Sequence, residues 1–159
     1  MRLDSDDFQL FGLPRRFALE RVAVDAHWRA LQAEVHPDRF ASEGAAAQRV
    51  AMQWAVRVNE AYRRLKDPIA RATLLCELAG VPVQAARNDA MPASFLMQQM
   101  QWRESLEDAH DAAAVQMLDD EVLRAEAELM RDVQRLLDEA GDAPAAAAQV
   151  RALMFLQRF

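Results

Sequence analysis

What most constrains this chain is how little interrupts it: four glycines and six prolines stand in 159 residues, with alanine abundant between them. Alanine, leucine and straight-chain residues favour helix, and no segment carries the sustained β-branched alternation of a half-buried strand. The pattern predicts an all-α fold. Breaks fall at Gly12-Leu13-Pro14, His36-Pro37-Asp38, Asp67-Pro68, Gly80-Val81-Pro82, Met91-Pro92 and from Gly141 to Pro144. They divide the chain into about six or seven helical pieces.

Apolar spacing supports the pieces one by one. Val24, Trp28, Leu31 and Val35 form one stripe of a helix over about 20–35, and Val50, Trp54, Val58, Ala61 and Leu65 mark another over about 43–66. Two long amphipathic helices joined by a short link pair as an antiparallel hairpin. Further on, Val115, Leu118, Val122, Ala125, Leu129, Val133 and Leu136 keep helical spacing, flanked by helices over about 94–109 and 144–158. A three-helix bundle is the economical reading of that half.

Charge divides the chain in the same way. Residues 1–80 hold 12 basic and 11 acidic residues, net +1, whereas residues 81–159 hold 7 and 14, net −7. The change across Gly80–Pro92 predicts two units, 1–80 and 81–159, with different partners. The total is −6, so no basic excess is available for phosphates and nucleic acid is not expected as a partner. No run reaches the roughly 18–20 apolar residues of a membrane span, and the opening residues lack a secretory signal's apolar core. Cys76, alone in Leu74-Leu75-Cys76-Glu77-Leu78, reads as a buried small hydrophobe in a reducing compartment, which predicts a cytoplasmic protein. His27, His36 and His110 lie too far apart for recurring metal spacings, so no metal or other cofactor is expected on this chain.

The link between the paired helices reads Val35-His36-Pro37-Asp38-Arg39-Phe40-Ala41-Ser42. Pro37 ends the first helix by excluding helical geometry at His36, and Asp38 can accept local backbone N–H groups. Taken alone this is either a plain proline turn with a histidine favouring the helix dipole or a surface held at a rigid apex. A hydrolase using His36 with Asp38 lacks a visible nucleophile or metal, and Pro37 between them sets the two groups poorly for mutual hydrogen bonding.

The surrounding residues add to this. Phe8 to Pro14 reads as a short helix, and Asn59-Glu60-Ala61-Tyr62-Arg63-Arg64-Leu65-Lys66-Asp67-Pro68 closes the second long helix, with Arg71 beyond. Over about residues 6–76 this pattern resembles a J-domain. The resemblance implies docking on the ATPase of a seventy-kilodalton heat-shock chaperone and stimulation of its ATP hydrolysis through His36, Pro37 and Asp38. Generic J-domains carry a lysine-rich face before the tripeptide; here Asp25, Ala26, Ala30 and Glu34 stand there. His27 and Arg29, with Arg39 after the turn, are the nearest cations, which argues for a dedicated chaperone partner.

In the second half, Phe95, Gln99, Trp102 and Leu106 lie on one stripe, while Leu96, Met97, Met100, Gln101, Glu104 and Asp108 lie on another. Either both stripes are core, or the second is a Met-rich exposed patch ending in carboxylates. Leu153-Met154-Phe155-Leu156 cannot all face one way. Phe155 falls with Ala148, Ala152 and Phe159, off the Val150 and Leu153 stripe, as an anchor or an edge-of-core aromatic. Phe95-Leu96-Met97, Gln99, Arg103-Glu104 and Leu106, then Val150-Arg151, Leu153, Phe155-Leu156, resemble the HscB family, J-type co-chaperones of iron–sulfur cluster assembly. Phe8-x-Leu10-Phe11-Gly12-Leu13-Pro14, His36 to Ala41 and Arg71-Ala72 fit that family as well.

The resemblance implies partnership with an HscA-type chaperone ATPase and an IscU-type scaffold protein, the cluster being carried by that client. The family's scaffold-binding patch maps onto Leu96, Met97, Met100, Gln101, Glu104, Asp108 and Phe155, with Gln101 replacing an acidic residue and Met100 a leucine. Leu74, Leu75 and Leu78 are too apolar to stay exposed, so a linker helix near Ala70–Ala79 is expected to pack the halves together in an L-shaped molecule. A J-type co-chaperone for another client and chaperone, or a helical adaptor without a chaperone, are the competing expectations.

Overall fold

A computed structural model of the chain describes residues 2–83 and 91–158. All regular structure among these residues is helical, as the punctuation predicts. The chain divides into two compact units, Met1–Leu74 and Leu75–Phe159, the division falling inside helix α4 (Pro68–Leu78). Residues 84–90 of the predicted Gly80–Pro92 boundary, and Phe159 of the last stripe, lie outside the described residues.

In the first unit, α1 (Asp7–Phe11) is a single short helix fixed at both ends. Asp6 and Gln9 form a reciprocal capping box, and Gly12 at φ 65° supplies the left-handed residue that closes the helix. The two long helices are α2 (Arg21–Val35) and α3 (Ala45–Lys66), separated by a 3-10 segment, Pro37–Glu43.

Cross-links between α2 and α3 set their register. Trp28 Nε1–H donates to Asn59 Oδ1 at 3.0 Å, and the Tyr62 hydroxyl donates to Asp25 Oδ1 at 2.8 Å. One number falls as the other rises, so the helices are antiparallel. The Trp28 and Tyr62 rings stack between these bonds at 4.3 Å. Val24, Val58, Ala61 and Leu65 are fully buried beneath them. Ala51, seven residues before Val58 and on its face, takes the buried place that the stripe assigns to Val50; Val50 is turned off that face and exposed.

Leu65 and Arg64 of the Asn59–Pro68 motif, with Arg71 beyond it, take part in further structural bonds. Buried Arg71 donates to the Leu65 carbonyl at 2.6 Å and the Phe17 carbonyl at 2.8 Å, holding the α3–α4 corner against the loop before α2. Asp7 is buried between Arg64 and Arg57 and ties α1 to α3.

The second unit contains the end of α4, α5 (Ala93–Asp108), α6 (Ala112–Gln134) and α7 (Ala143–Gln157). A π-helical turn, Arg135–Glu139, extends α6. Asp111 and Asp142 cap α6 and α7 by accepting N–H groups from Ala114 and Ala145. The predicted bundle is present: α6 packs on both α5 and α7.

Two clusters of its core are evident among the described residues. Met91, Phe95, Trp102, Leu118, Ala152 and Leu156 form one, and Cys76, Leu136, Ala146 and Ala147 the other. Val115 and Leu106, both predicted on packing stripes, are exposed, because they sit at the α5–α6 turn where the bundle ends. The run at 153–156 is resolved by burial around most of α7, since Ala146, Ala147 and Ala152 let neighbours approach closely while Val150, Leu153 and Leu156 fill the gaps. No helix among the described residues is long and apolar enough to cross a membrane, and none of their His, Cys, Asp and Glu side chains gather as a metal-holding group of three or more.

Candidate functional site

The apex of the first unit is built by Pro37. Helix α2 stops at Val35, His36 turns extended at φ −59°, ψ 128°, and Pro37 begins the 3-10 segment, where a missing N–H costs nothing. The local cap runs opposite to the expected one. It is the His36 ring, at Nδ1, that accepts the Asp38 N–H at 3.2 Å, while the Arg39 N–H closes on the His36 carbonyl at 3.0 Å.

With Nδ1 accepting, the neutral ring carries its proton on Nε2. The Asp38 side chain is 94% exposed, its carboxylate 3.8 Å from Nδ1. An imidazole N–H and a carboxylate thus stand side by side at a rigid tip. Arg29, two helical turns before His36 on the same face, and Arg39 are both exposed. His27 does not join them: its Nδ1–H donates to the Phe11 carbonyl at 2.6 Å and fastens α2 to α1. Where the generic lysine face would stand, the short side chains of Ala26 and Ala30 leave a shallow recess of about 600 Å³, walled by Leu10, Phe11, Leu31 and Glu34.

In the second unit, α5 separates its two stripes. Phe95, Gln99 and Trp102 turn inward, the Phe95 and Trp102 rings meeting edge to face at 6.4 Å. On the other stripe Met97 is 65% and Met100 69% exposed, and Gln101, Glu104 and Asp108 are also exposed. That stripe is therefore a surface. Leu96 and Phe155 are intermediate, each with one side packed on the core. Phe155 is thus not stranded off the core, because its stripe-mate Ala152 is fully buried.

The mapped patch residues do not form one continuous floor. Leu96, Met100 and Phe155 surround a recess of about 260 Å³, completed by Gln99 and Arg103. The Arg158 guanidinium lies over the Phe155 ring, 5.5 Å from its centre. Gln101 and Glu104 belong to a larger recess of about 620 Å³ on the opposite flank of α5, facing Glu121, Arg124 and Glu128 of α6. Met97 and Asp108 line neither. Among the residues added by the structure, Arg103 is signalled by its spacing from Leu96 and Met100, whereas Glu121 and Glu128 come from a distant stretch of sequence.

Comparison with known proteins accords with this geometry. Residues 91–159 match the family described as HSCB C-terminal oligomerisation domain. The co-chaperone protein HscB homolog of Bordetella pertussis is 52% identical over 154 residues, covering 96% of this chain and 91% of that protein. Among solved structures, the chaperone HscB from Vibrio cholerae superposes with a TM-score of 0.81 at 35% identity, covering 97% of this chain and 92% of that one. The human co-chaperone protein HscB, at 23% identity, shares the fold with a TM-score of 0.89, over 99% of this chain and 80% of its own. A J-type hairpin with an exposed His-Pro-Asp apex, followed by a helical bundle, defines a co-chaperone. This chain belongs to the HscB family.

Proposed function

We propose that the chain stimulates ATP hydrolysis by a dedicated HscA-type chaperone and delivers to it an IscU-type scaffold protein, which carries the iron–sulfur cluster. The observation that carries this reading is the openness of the apex. Asn59, Tyr62, Asp7 and Arg71 are all engaged inside the first unit, while the Asp38 carboxylate is left to solvent. His36, Pro37 and Asp38 would engage the chaperone, with Arg29 and Arg39 supplying flanking positive charge. A free carboxylate on a rigid tip can compete for a cationic group in the partner and favour its hydrolysis-competent arrangement. Such an activator must bind that arrangement more tightly than the resting one, and each tenfold preference is about 1.4 kcal/mol.

The client would be held by Leu96, Met97, Met100 and Phe155 as apolar contacts and by Gln101, Glu104 and Asp108 as polar ones. Joining the two binding functions on one chain raises the effective concentration of client at the chaperone. The test is single-turnover ATPase of an HscA-type chaperone with scaffold protein and His36→Gln. Hydrolysis should fall to the unstimulated rate, and retained stimulation would overturn the mechanism. Met97→Ala with Phe155→Ala should weaken scaffold binding by at least a few kcal/mol in titration calorimetry. His36→Gln should leave that binding unchanged.

A further inference from the structure

Gln99 sits on the inward stripe of α5, one turn from both Phe95 and Trp102, and is only 7% exposed. Among the described residues its side chain has no hydrogen-bond partner. A leucine or methionine at this largely buried position would pack there without leaving an amide to be satisfied by water. The amide is not sealed in the core, however. It forms part of the recess bounded by Leu96, Met100, Arg103 and Phe155.

A glutamine amide offers a carbonyl acceptor and two N–H donors, the complement of a main-chain peptide group. An apolar recess with such a group in its lining suits a protein segment whose side chain enters while its adjoining backbone finds a partner. The rim adds direction. Arg103 lines the opening and Arg158 covers the Phe155 ring, so the rim favours a segment that brings a carboxylate or a free carbonyl beside its apolar residue. We infer that Gln99 is a contact residue of the client site, bonding a peptide group of the client segment whose aliphatic side chain fills this recess. The inference rests on the client-binding reading given above.

The experiment titrates full-length chain with an IscU-type scaffold, comparing the unaltered protein, Gln99→Leu and Phe155→Ala, with urea unfolding of each. Gln99→Leu should bind about tenfold more weakly while its unfolding midpoint stays level or rises, because an unpaired amide has been replaced by an apolar side chain of similar size. In the unaltered protein, the Gln99 side-chain amide resonances should shift when scaffold is added. Unchanged affinity in Gln99→Leu alongside weakened Phe155→Ala overturns the role of Gln99 alone. A lowered midpoint together with unmoved amide resonances makes Gln99 a packing residue and also overturns it. Self-association of the chain that Gln99→Leu abolishes would give the recess to a second copy instead. No binding by the unaltered chain overturns the client-binding reading itself.

Discussion

Replacing Asp7 with alanine tests whether the first unit is held together as described. Asp7 is 2% exposed and lies in α1, a helix of 5 residues that is too short to persist without tertiary anchoring. Arg64 donates to both of its oxygens, at 2.6 and 3.0 Å, and Arg57 Nη1 lies 2.9 Å from one of them. Removing one member of a buried ionic group costs about 3–5 kcal/mol, because the charge left behind is uncompensated. Two features pull this case to the low end. Arg57 keeps the carbonyls of Leu3 and Ser5, and the Arg64 side chain is half open to water and can turn outward.

We expect a loss of about 3 kcal/mol for Asp7→Ala, measured by urea unfolding followed by circular dichroism. Asp7→Asn, which keeps the shape but not the charge, should lose about 2 kcal/mol. Arg64→Met should couple to Asp7→Ala in a double-mutant cycle by at least about 1 kcal/mol, since the pair is in direct contact. A loss below about 1 kcal/mol for Asp7→Ala, with no coupling, would mean that α1 is not anchored through this carboxylate.

Two further outcomes follow from titrating groups. The Tyr62 hydroxyl and the Arg21 guanidinium hold the Asp25 carboxyl below its ordinary 3.8; at Asp6 burial pushes upward but the Gln9 N–H and Arg15 outweigh it, so that carboxyl is lowered too. Both stabilise the fold above the ordinary carboxylate value and lose that contribution as pH falls through their folded-state values. The urea midpoint should hold between about pH 7 and 5 and drop below about pH 4, less steeply in Asp25→Asn. Burial pushes the Cys76 thiol up to about 11, against a smaller opposing pull from Arg151. Only about 0.1% would be thiolate at pH 8, so a thiol reagent should label native chain orders of magnitude more slowly than unfolded chain. Rapid labelling would mean that the core around Ala143 and Leu136 opens.

The long helices were legible because a 3–4 spacing of apolar residues has one physical solution, a buried stripe. That logic fails at helix ends. Val115 continues its stripe past the end of the bundle, and Val50 sits one position off the buried face that Ala51 occupies, so both are exposed. The apex was legible as a break, yet which side chain caps it was not, because both His36 and Asp38 can accept an N–H and only the backbone torsion at His36 decides. The Asn59–Pro68 pattern was recognisable as a pattern, while the bonds that explain it join residues more than 30 positions apart. On α5 periodicity separates two stripes but leaves open whether the second is core or surface, which the exposure of Met97 and Met100 decides. Its division into two flanks depends on α7 supplying Phe155 to one side and α6 supplying Glu121 and Glu128 to the other, which no local spacing encodes.

The unlike flanks of α5 act as a key with a right and a wrong way round. One side presents grease edged by Arg103 and Arg158, the other a carboxylate-lined trough. If the client of the proposed function straddles the helix, it has to bring matching chemistry to each side at once, and rotating it by half a turn would set acid against acid and base against base. Under the proposed client-binding reading, orientation would be selected by mismatch as much as by fit, and a loosely held client would still be presented in a single pose.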